Sequence, residues 1–223
     1  MNIHKQSRLE NLHAALPGLA VEASERAVEF EQSRMVALDY VAKLKSAGVY
    51  RVLVAEAQGG LGGSLLDWYE MSRILAEADA STGWSASQGA MANAIIANTA
   101  QPEFVEKFFA DPDANAAWSN LPRVEAVEVD GGLEITGRWA FGTGCTAATY
   151  VGGMLPLPDE TKDGGIRLVV ALVPKDEATI DFTWDPIGLA GTGSHDIVFD
   201  NLFVPSEQIF AWPHSKPIYH HPT

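Results

Sequence analysis

Residues 132–144 read GLEITGRWAFGTG, and this stretch decides the predicted fold. Every second residue from 133 to 141 is apolar or small, and the residues between them are more polar. The apolar or small residues are Leu133, Ile135, Gly137, Trp139 and Phe141. A period of two is typical of a β-strand that buries one face. The turn-forming residues at 130–132, DGG, favour a hairpin just before it. We therefore predict a half-buried strand that follows a hairpin turn.

Short apolar segments continue the β pattern toward the end of the chain. They are separated by turn residues and by a polar loop, and they cover residues 150–155, 167–173, 180–184, 197–199 and 202–204. Several short strands at regular spacing are typical of a sandwich or barrel. We therefore predict six to eight strands in a β-domain that covers residues 113–223.

The chain before residue 113 has the spacing of helices instead. Apolar residues recur every three or four positions over 19–47, from Ser64 to Ala78, and over 82–99 and 102–110. Ser64 and Asp67 form a capping-box pattern, and Gly48 suits the position after a helix end. The helix over 82–99 is rich in Gly, Ala and Ser, so we expect it to lie centrally among its neighbours. The sequence thus predicts an α+β protein, with an N-terminal helical domain over residues 1–112.

Composition excludes some classes of partner. The 223 residues hold 15 Lys and Arg against 29 Asp and Glu, a formal net charge of −14. Nucleic acids and anionic membranes need a basic surface, so neither is expected as a partner. A phosphate-bearing cofactor stays possible, because a few oriented N–H groups bind phosphate without net positive charge. The single cysteine, Cys145, predicts no internal disulfide and favours the reducing cytoplasm, and we find no export signal or membrane-spanning run.

Several short motifs lack a feature that the sites they suggest would require. Residues 59–63, GGLGG, lack the Lys and spacing of a phosphate loop, so we predict a turn. Residues 142–147 match G-x-G-x-x-A, but a β-like segment follows where a dinucleotide fold needs a helix. The six histidines show no metal-ligand spacing, and no metal site is expected. Residues 194–196, SHD, are sequence neighbours, whereas a hydrolytic triad converges from separate segments. Cys145 is interpreted as a small packing residue.

An aromatic cluster is what remains. Trp118, Trp139, Phe141 and Tyr150 lie on or beside predicted strands, with the hydroxyls of Ser119, Thr143 and Thr146 close in sequence. Aromatic surfaces with hydroxyl and N–H donors suit a flat hydrogen-bonding heterocycle such as an isoalloxazine ring. The alternative is that these aromatics only fill the core of the sandwich.

An ordered set of motifs resembles the acyl-CoA dehydrogenase superfamily over nearly the whole chain. The motifs are LKSAG at 44–48, GGLGG at 59–63, GLEITGRWAFGTG at 132–144, GTGSHD at 191–196 and Val204-Pro205. The resemblance implies an N-terminal helical domain followed by a middle β-domain on which FAD or FMN lies. Residues 139–144, WAFGTG, are similar to the Trp-x-Phe-x-Ser-Gly pattern of the oxygenase components of two-component flavin monooxygenases. Residues 118–122, WSNLP, lack the Gly-Ser-Asp pattern of the dehydrogenase branch.

The resemblance implies roles for six residues. Thr143 stands where a Ser or Thr contacts flavin N5, and Gly144 follows it in the same motif. Trp139 and Phe141 then border the ring, and Trp118 and Ser119 approach its other edge. In the family, a C-terminal helical bundle follows the Val-Pro segment and supplies the catalytic acid or base. We expect that bundle to be absent from these 223 residues, so none of them is assigned a catalytic role.

The resemblance implies an oxidoreductase that uses reduced flavin and O₂ on a small organic substrate. It implies a flavin reductase as partner, and a homo-oligomer or a second, helical subunit that completes the protein. One alternative is an acyl-CoA dehydrogenase proper, which oxidises the acyl chain of a thioester. Another is a non-catalytic remnant that acts only through association and retains no flavin.

Overall fold

The computed structural model describes residues 7–159, 161 and 165–212. Five α-helices come first: α1 (Arg8–Ser33), α2 (Leu38–Ala47), α3 (Leu65–Ala78), α4 (Ala80–Thr99) and α5 (Pro102–Ala110). Eight strands follow: β1 (Ala116–Ser119), β2 (Pro122–Val129), β3 (Gly132–Gly142), β4 (Tyr150–Asp159), β5 (Gly165–Pro174), β6 (Thr179–Asp181), β7 (His195–Pro205) and β8 (Ile209–Ala211). The predicted α+β class, with helices before strands, is confirmed.

The strands form two four-stranded sheets. The inner sheet has the order β1-β4-β5-β8, with β1 and β4 parallel and the other pairs antiparallel. The outer sheet has the order β2-β3-β7-β6 and is antiparallel throughout. One apolar core lies between the two sheets, and a second lies between the inner sheet and helices α4 and α5. The molecule therefore has three layers: helices, inner sheet and outer sheet.

Burial on both faces explains the sequence of β5. Val169 to Val173 are all buried, and alternate residues of this run contribute to the two different cores. A strand covered on both sides has no solvent face, so its sequence is a continuous apolar run without alternation. Strand β3 of the outer sheet keeps the predicted alternation from Leu133 to Trp139, because only one of its faces is covered there.

The first predicted helix is divided in two. Residues 19–47 were expected as one helix, but α1 begins at Arg8 behind a Ser7–Glu10 capping box and ends at Ser33. Arg34 then adopts a left-handed conformation with a φ of 57°, and α2 begins at Leu38. Neither glycine nor proline marks this break. The turn is stabilised by tertiary packing, which buries Val36 in the core of the helical layer.

Helix α4 lies at the centre of the helical part, as its small residues predict. It packs against α3 on one side and against β1 on another. A Cβ atom on Gly83 would lie 2.4 Å from the Cα atom of Ala76, so the two helix backbones approach closely. The predicted Ser64–Asp67 capping box of α3 and the left-handed Gly48 after α2 are both present.

Two strand predictions are corrected. The strand predicted at 180–184 is shorter and begins one residue earlier, at Thr179–Asp181. The segments 197–199 and 202–204 were predicted as two strands but belong to one strand, β7. Between these two segments Asp200 and Asn201 lie opposite the single residue Thr136, as in a β-bulge, and Asn201 has a φ of 49°. The change from helix to strand falls between Ala110 and Ala116. The division into two domains near residue 112 stays a prediction. The helices and the inner sheet share an apolar core, so packing is continuous across this position.

In the ranges that the structure describes, no helix is both long and apolar enough to cross a membrane.

Candidate functional site

A cavity of about 440 Å³ opens where α4 meets β1 and the ends of β3 and β7. Its lining combines aromatic and aliphatic side chains with a few hydroxyls. Four of the six residues assigned to a cofactor from the sequence line it, and these are Trp118, Ser119, Phe141 and Thr143. The remaining two, Trp139 and Gly144, do not.

The side chain of Trp139 lies in the core between the sheets. It is fully buried, packs on Phe199 with ring centroids 4.8 Å apart, and donates its indole N–H to the backbone oxygen of Met154 at 2.7 Å. The expectation that this side chain borders the cofactor is therefore corrected. Trp139 supports β3 from behind.

Phe141 faces the cavity because β3 is irregular at this point. Regular alternation predicts that Phe141 and Trp139 share a face, but Phe141 has a φ of 66° and is 53% exposed. The register between β3 and β7 shifts between Trp139 and Gly142, which is the signature of a β-bulge. The bulge turns the Phe141 ring outward, where it contacts Trp184 edge-on at 5.7 Å. A bulky residue at positive φ is strained, and such strain is concentrated at functional sites.

The end of β1 forms the opposite wall. Trp118 is half-buried and contacts the rings of Phe210 and Trp212 edge-on, at 6.4 Å and 6.3 Å between centroids. The buried hydroxyl oxygen of Ser119 accepts the N–H of Leu121 at 3.1 Å. This bond leaves the Ser119 hydroxyl hydrogen available for another acceptor.

Three hydroxyls and two neighbouring groups form a continuous hydrogen-bonded chain at the cavity. The Oγ1 atom of Thr143 accepts the indole N–H of Trp84 at 3.3 Å and lies 2.9 Å from the Oγ atom of Ser194. Ser194 Oγ lies 2.8 Å from Thr192 Oγ1, which donates to the backbone oxygen of Leu189 at 2.9 Å. Ser194 and Thr192 are buried, whereas Thr143 is half-buried.

Gly144 acts through the backbone of the turn that follows β3. Its φ is 74°, a region that favours glycine, and its N–H donates to the backbone oxygen of Thr192 at 3.1 Å. This bond ties the turn to the segment that carries Ser194. Cys145 lies behind the turn in the core, as predicted for a packing residue, and burial raises the pKa of its thiol to about 12.

The adjacent residues Ser194, His195 and Asp196 have separate partners. Ser194 bonds to the other hydroxyls, His195 accepts the backbone N–H of Trp184 at its Nδ1 atom (3.1 Å), and Asp196 pairs with Arg138 at 3.0 Å. Burial is the main reason why the pKa of His195 is lowered. A neutral imidazole is what the Nδ1 acceptor requires. These contacts are structural and do not form a nucleophile–base–acid relay.

The acidic, histidine and cysteine side chains of residues 7–159, 161 and 165–212 are dispersed. No group of three or more His, Cys, Asp or Glu side chains comes together there in a way that could hold a metal ion. His13 pairs with Asp67 at 3.2 Å. His4, His214, His220 and His221 lie outside the described residues.

Sequence reasoning missed part of the site. Trp84, Trp184, Thr192 and Ser194 all line the cavity, yet none was assigned to it. The motif at 191–194, GTGS, contains two of them and carried part of the family resemblance. Trp84 gives no local signal, because it lies on a helix that precedes β3 by several elements. Conversely, Tyr150 packs on Phe104 and Phe108 in the core below α5.

Comparison with known proteins gives a consistent result. The family profile for the acyl-CoA dehydrogenase N-terminal domain matches residues 17–111. Indole-3-acetate monooxygenase from Acinetobacter baumannii is 36% identical over 93% of this chain and 54% of its own length. The oxygenase component of the FADH(2)-dependent resorcinol hydroxylase of a Rhizobium species is 31% identical over 88% of this chain and 48% of its own length.

A solved structure supports the same relationship. The crystal structure of 3-HSA hydroxylase from Rhodococcus sp. RHA1 superimposes with a TM-score of 0.80 at 32% identity, over 93% of this chain and 52% of that one. The chain spans about half the length of the curated relatives it matches.

Proposed function

Because this chain belongs to the acyl-CoA dehydrogenase superfamily, and its curated relatives are flavin-dependent monooxygenases, we propose that it binds flavin in the cavity beside α4. We propose that it works as the oxygenase component of a two-component system, which uses reduced flavin and O₂ on a small organic substrate. The observation that carries this proposal is the cavity itself, whose aromatic walls surround a chain of hydroxyls that ends at Thr143.

The residues present fit a flavin ring. A volume of about 440 Å³ lies within the usual range for small-molecule sites. Phe141 and Trp84 line the cavity with 53% and 47% of their surfaces exposed, so both have free aromatic faces. Core aromatics have no such free faces, and the strained φ of Phe141 favours a role in binding over a role in packing.

Each wall of the cavity has a distinct proposed task. Trp118 and Phe141 hold the ring from two sides, while Ser119 and Thr143 supply polar contacts at its edges. Gly144 shapes the turn that carries Thr143. When bound, flavin supplies the electrons and the reactive position for the chemistry with O₂. The apolar lining reduces access of water, which favours productive transfer of oxygen over side reactions.

The partners follow from the same proposal. A separate flavin reductase supplies the reduced cofactor, as expected for an oxygenase component of this type. The proposed substrate is a small aromatic compound, because the names of two relatives specify indole-3-acetate and resorcinol. A homo-oligomer or a completing helical subunit is proposed as the working assembly. The cytoplasmic location stays a prediction that rests on the single cysteine.

Flavin binding and turnover test the proposal on the purified chain. The chain is dialysed anaerobically against FAD or FMN, each oxidised or reduced, and the retained flavin is measured by absorbance. The reduced complex is then mixed with O₂ and either resorcinol or indole-3-acetate, and products are separated by chromatography.

Retained flavin together with a hydroxylated product supports the proposal. Reduction of a dye by an acyl-CoA, without hydroxylation, would assign the chain to the dehydrogenase alternative instead. A chain that retains no flavin in either state would contradict the proposal and favour action through association alone.

A further inference from the structure

The hydroxyl chain at the cavity has a fixed direction. One end is the indole N–H of Trp84, which can only donate, and the other end is the backbone oxygen of Leu189, which can only accept. Between them lie the hydroxyls of Thr143, Ser194 and Thr192, each with a single hydrogen.

Only one assignment of the three hydrogens satisfies all four links. The hydrogen of Thr192 goes to the Leu189 oxygen at 2.9 Å, so the 2.8 Å link between Ser194 and Thr192 must use the hydrogen of Ser194. The 2.9 Å link between Thr143 and Ser194 must then use the hydrogen of Thr143. The Leu189 oxygen also accepts the backbone N–H of Thr192 at 3.1 Å and the indole N–H of Trp184 at 3.1 Å, and of these three contacts the hydroxyl of Thr192 makes the shortest.

Thr143 is therefore left with a lone pair for any ligand. Its hydrogen is committed to Ser194, and one of its two lone pairs is occupied by Trp84. The group that it presents to the cavity is an acceptor, which complements an N–H donor and opposes another acceptor.

We infer that Ser194 and Thr192 are positioning residues that hold the Thr143 hydroxyl as an acceptor and so bias the cavity toward reduced flavin. This inference rests on the proposed function and on the position at flavin N5 that the family resemblance implies for Thr143. Reduced flavin carries a hydrogen at N5, whereas oxidised flavin carries only a lone pair there. The acceptor orientation of Thr143 stabilises the first state and disfavours the second.

Two substitutions release the hydrogen of Thr143. Ser194→Ala removes its acceptor directly. Thr192→Val, which keeps the shape of the side chain, removes the acceptor of Ser194, so Ser194 can turn and donate to Thr143. In both variants the Thr143 hydrogen can point into the cavity and donate to oxidised flavin. Thr192→Ser retains the hydroxyl and serves as the matched control.

The readout is the pair of dissociation constants for oxidised and reduced flavin, measured anaerobically for each folded variant. The dissociation constant for oxidised flavin divided by that for reduced flavin should fall roughly 3- to 10-fold in Thr192→Val and Ser194→Ala. This is the size of effect expected when one hydrogen bond to reduced flavin is exchanged for one to oxidised flavin. The ratio should stay unchanged in Thr192→Ser. The midpoint potential of the bound flavin should fall in step with the ratio, because reduced flavin is then held less tightly relative to oxidised flavin.

Different failures have different meanings. If both constants rise equally in Thr192→Val, the hydroxyls are merely structural and the inference is overturned. The inference would also be overturned if the ratio of the two dissociation constants changed as much in Thr192→Ser as in Thr192→Val, since Thr192→Ser keeps the chain of hydroxyls. If the unchanged protein binds neither state of flavin, the proposed function fails, and the inference fails with it. If Ser194→Ala does not fold, the comparison of the two Thr192 variants decides alone.

Discussion

Trp139 and Phe141 lie two residues apart on β3, yet Trp139 is fully buried between the sheets while Phe141 faces the cavity. The bulge and the positive φ at Phe141 separate them. One strand thereby provides both an anchor in the core and a wall of the candidate site. Substitutions at the two places should consequently have different effects, the first on stability and the second on binding.

Gly153→Ala should destabilise the protein through Trp139. A Cβ atom on Gly153 would lie 2.1 Å from the Cδ1 atom of the Trp139 ring, and that ring is held by Phe199 and by its bond to Met154. Overpacking of this kind costs about 1–3 kcal/mol. Urea unfolding measures the loss, with Gly188→Ala as the control, because nothing lies within 4 Å of its added Cβ atom. Equal stability of the two variants would contradict the packing described.

Phe141→Ala should weaken flavin binding with little change in stability. Its ring is exposed in the cavity. Among the aromatic pairs of the described residues, it takes part in one, an edge-on contact with Trp184. Loss of an aromatic contact to the flavin should raise the dissociation constant roughly 2- to 10-fold. Phe203→Ala is the matched control, since Phe203 is 44% exposed on β7 and does not line the cavity. Fluorescence titration would refute the assignment if both variants bound flavin alike.

Thr143→Val should weaken the binding of reduced flavin. The substitution keeps the shape of the side chain and removes the oxygen that links Trp84 and Ser194. Loss of one hydrogen bond predicts a dissociation constant about 2- to 10-fold higher. Thr179→Val, on the exposed edge strand β6, controls for the change of residue type. Anaerobic titration checks the result, and an unchanged constant would remove Thr143 from the proposed site.

Asn93→Ala should loosen the contact between α4 and the inner sheet. The buried Asn93 amide donates to the backbone oxygen of Ala114 at 3.0 Å and accepts the backbone N–H of Ala116 at 3.1 Å. Both backbone groups would lose their partner, which predicts a loss of about 2–4 kcal/mol in the free energy of unfolding. Asn98→Ala, whose amide bonds only within α4, should cost less in thermal or urea unfolding. A similar cost for both would argue against this connection.

Stability should fall with rising pH because of Cys145. Burial raises the pKa of its thiol from 9.0 to about 12, so above pH 9 the unfolded chain loses a proton that the folded chain keeps. The stabilising contribution is complete below the unfolded pKa and is lost as pH rises toward the folded one. Between pH 9 and pH 10 the wild type should lose about 1 kcal/mol more than Cys145→Ala. If the free energy of unfolding fell by the same amount in both proteins over this pH range, the pKa of the thiol would not be raised by folding.

Local patterns in the sequence were enough for much of the fold. The Ser64–Asp67 capping box, the helical spacing of 82–99 and the alternation from Leu133 to Trp139 all correspond to observed elements. Each depends on contacts within a few residues of the chain, which is why a pattern in the sequence reveals it. The order of glycine-containing motifs likewise identified the family.

Contacts between distant segments decided the rest. The left-handed turn at Arg34 and the bulge at Phe141 have no local signal, because packing against other elements holds both backbones in place. The hydroxyl chain joins Thr143 to Trp84, 59 residues away, and to Ser194, 51 residues away. Periodicity therefore determined which segments are helices and strands. Only the packing of three layers decided that Trp139 is buried in the core and that Thr143 presents a lone pair to the cavity.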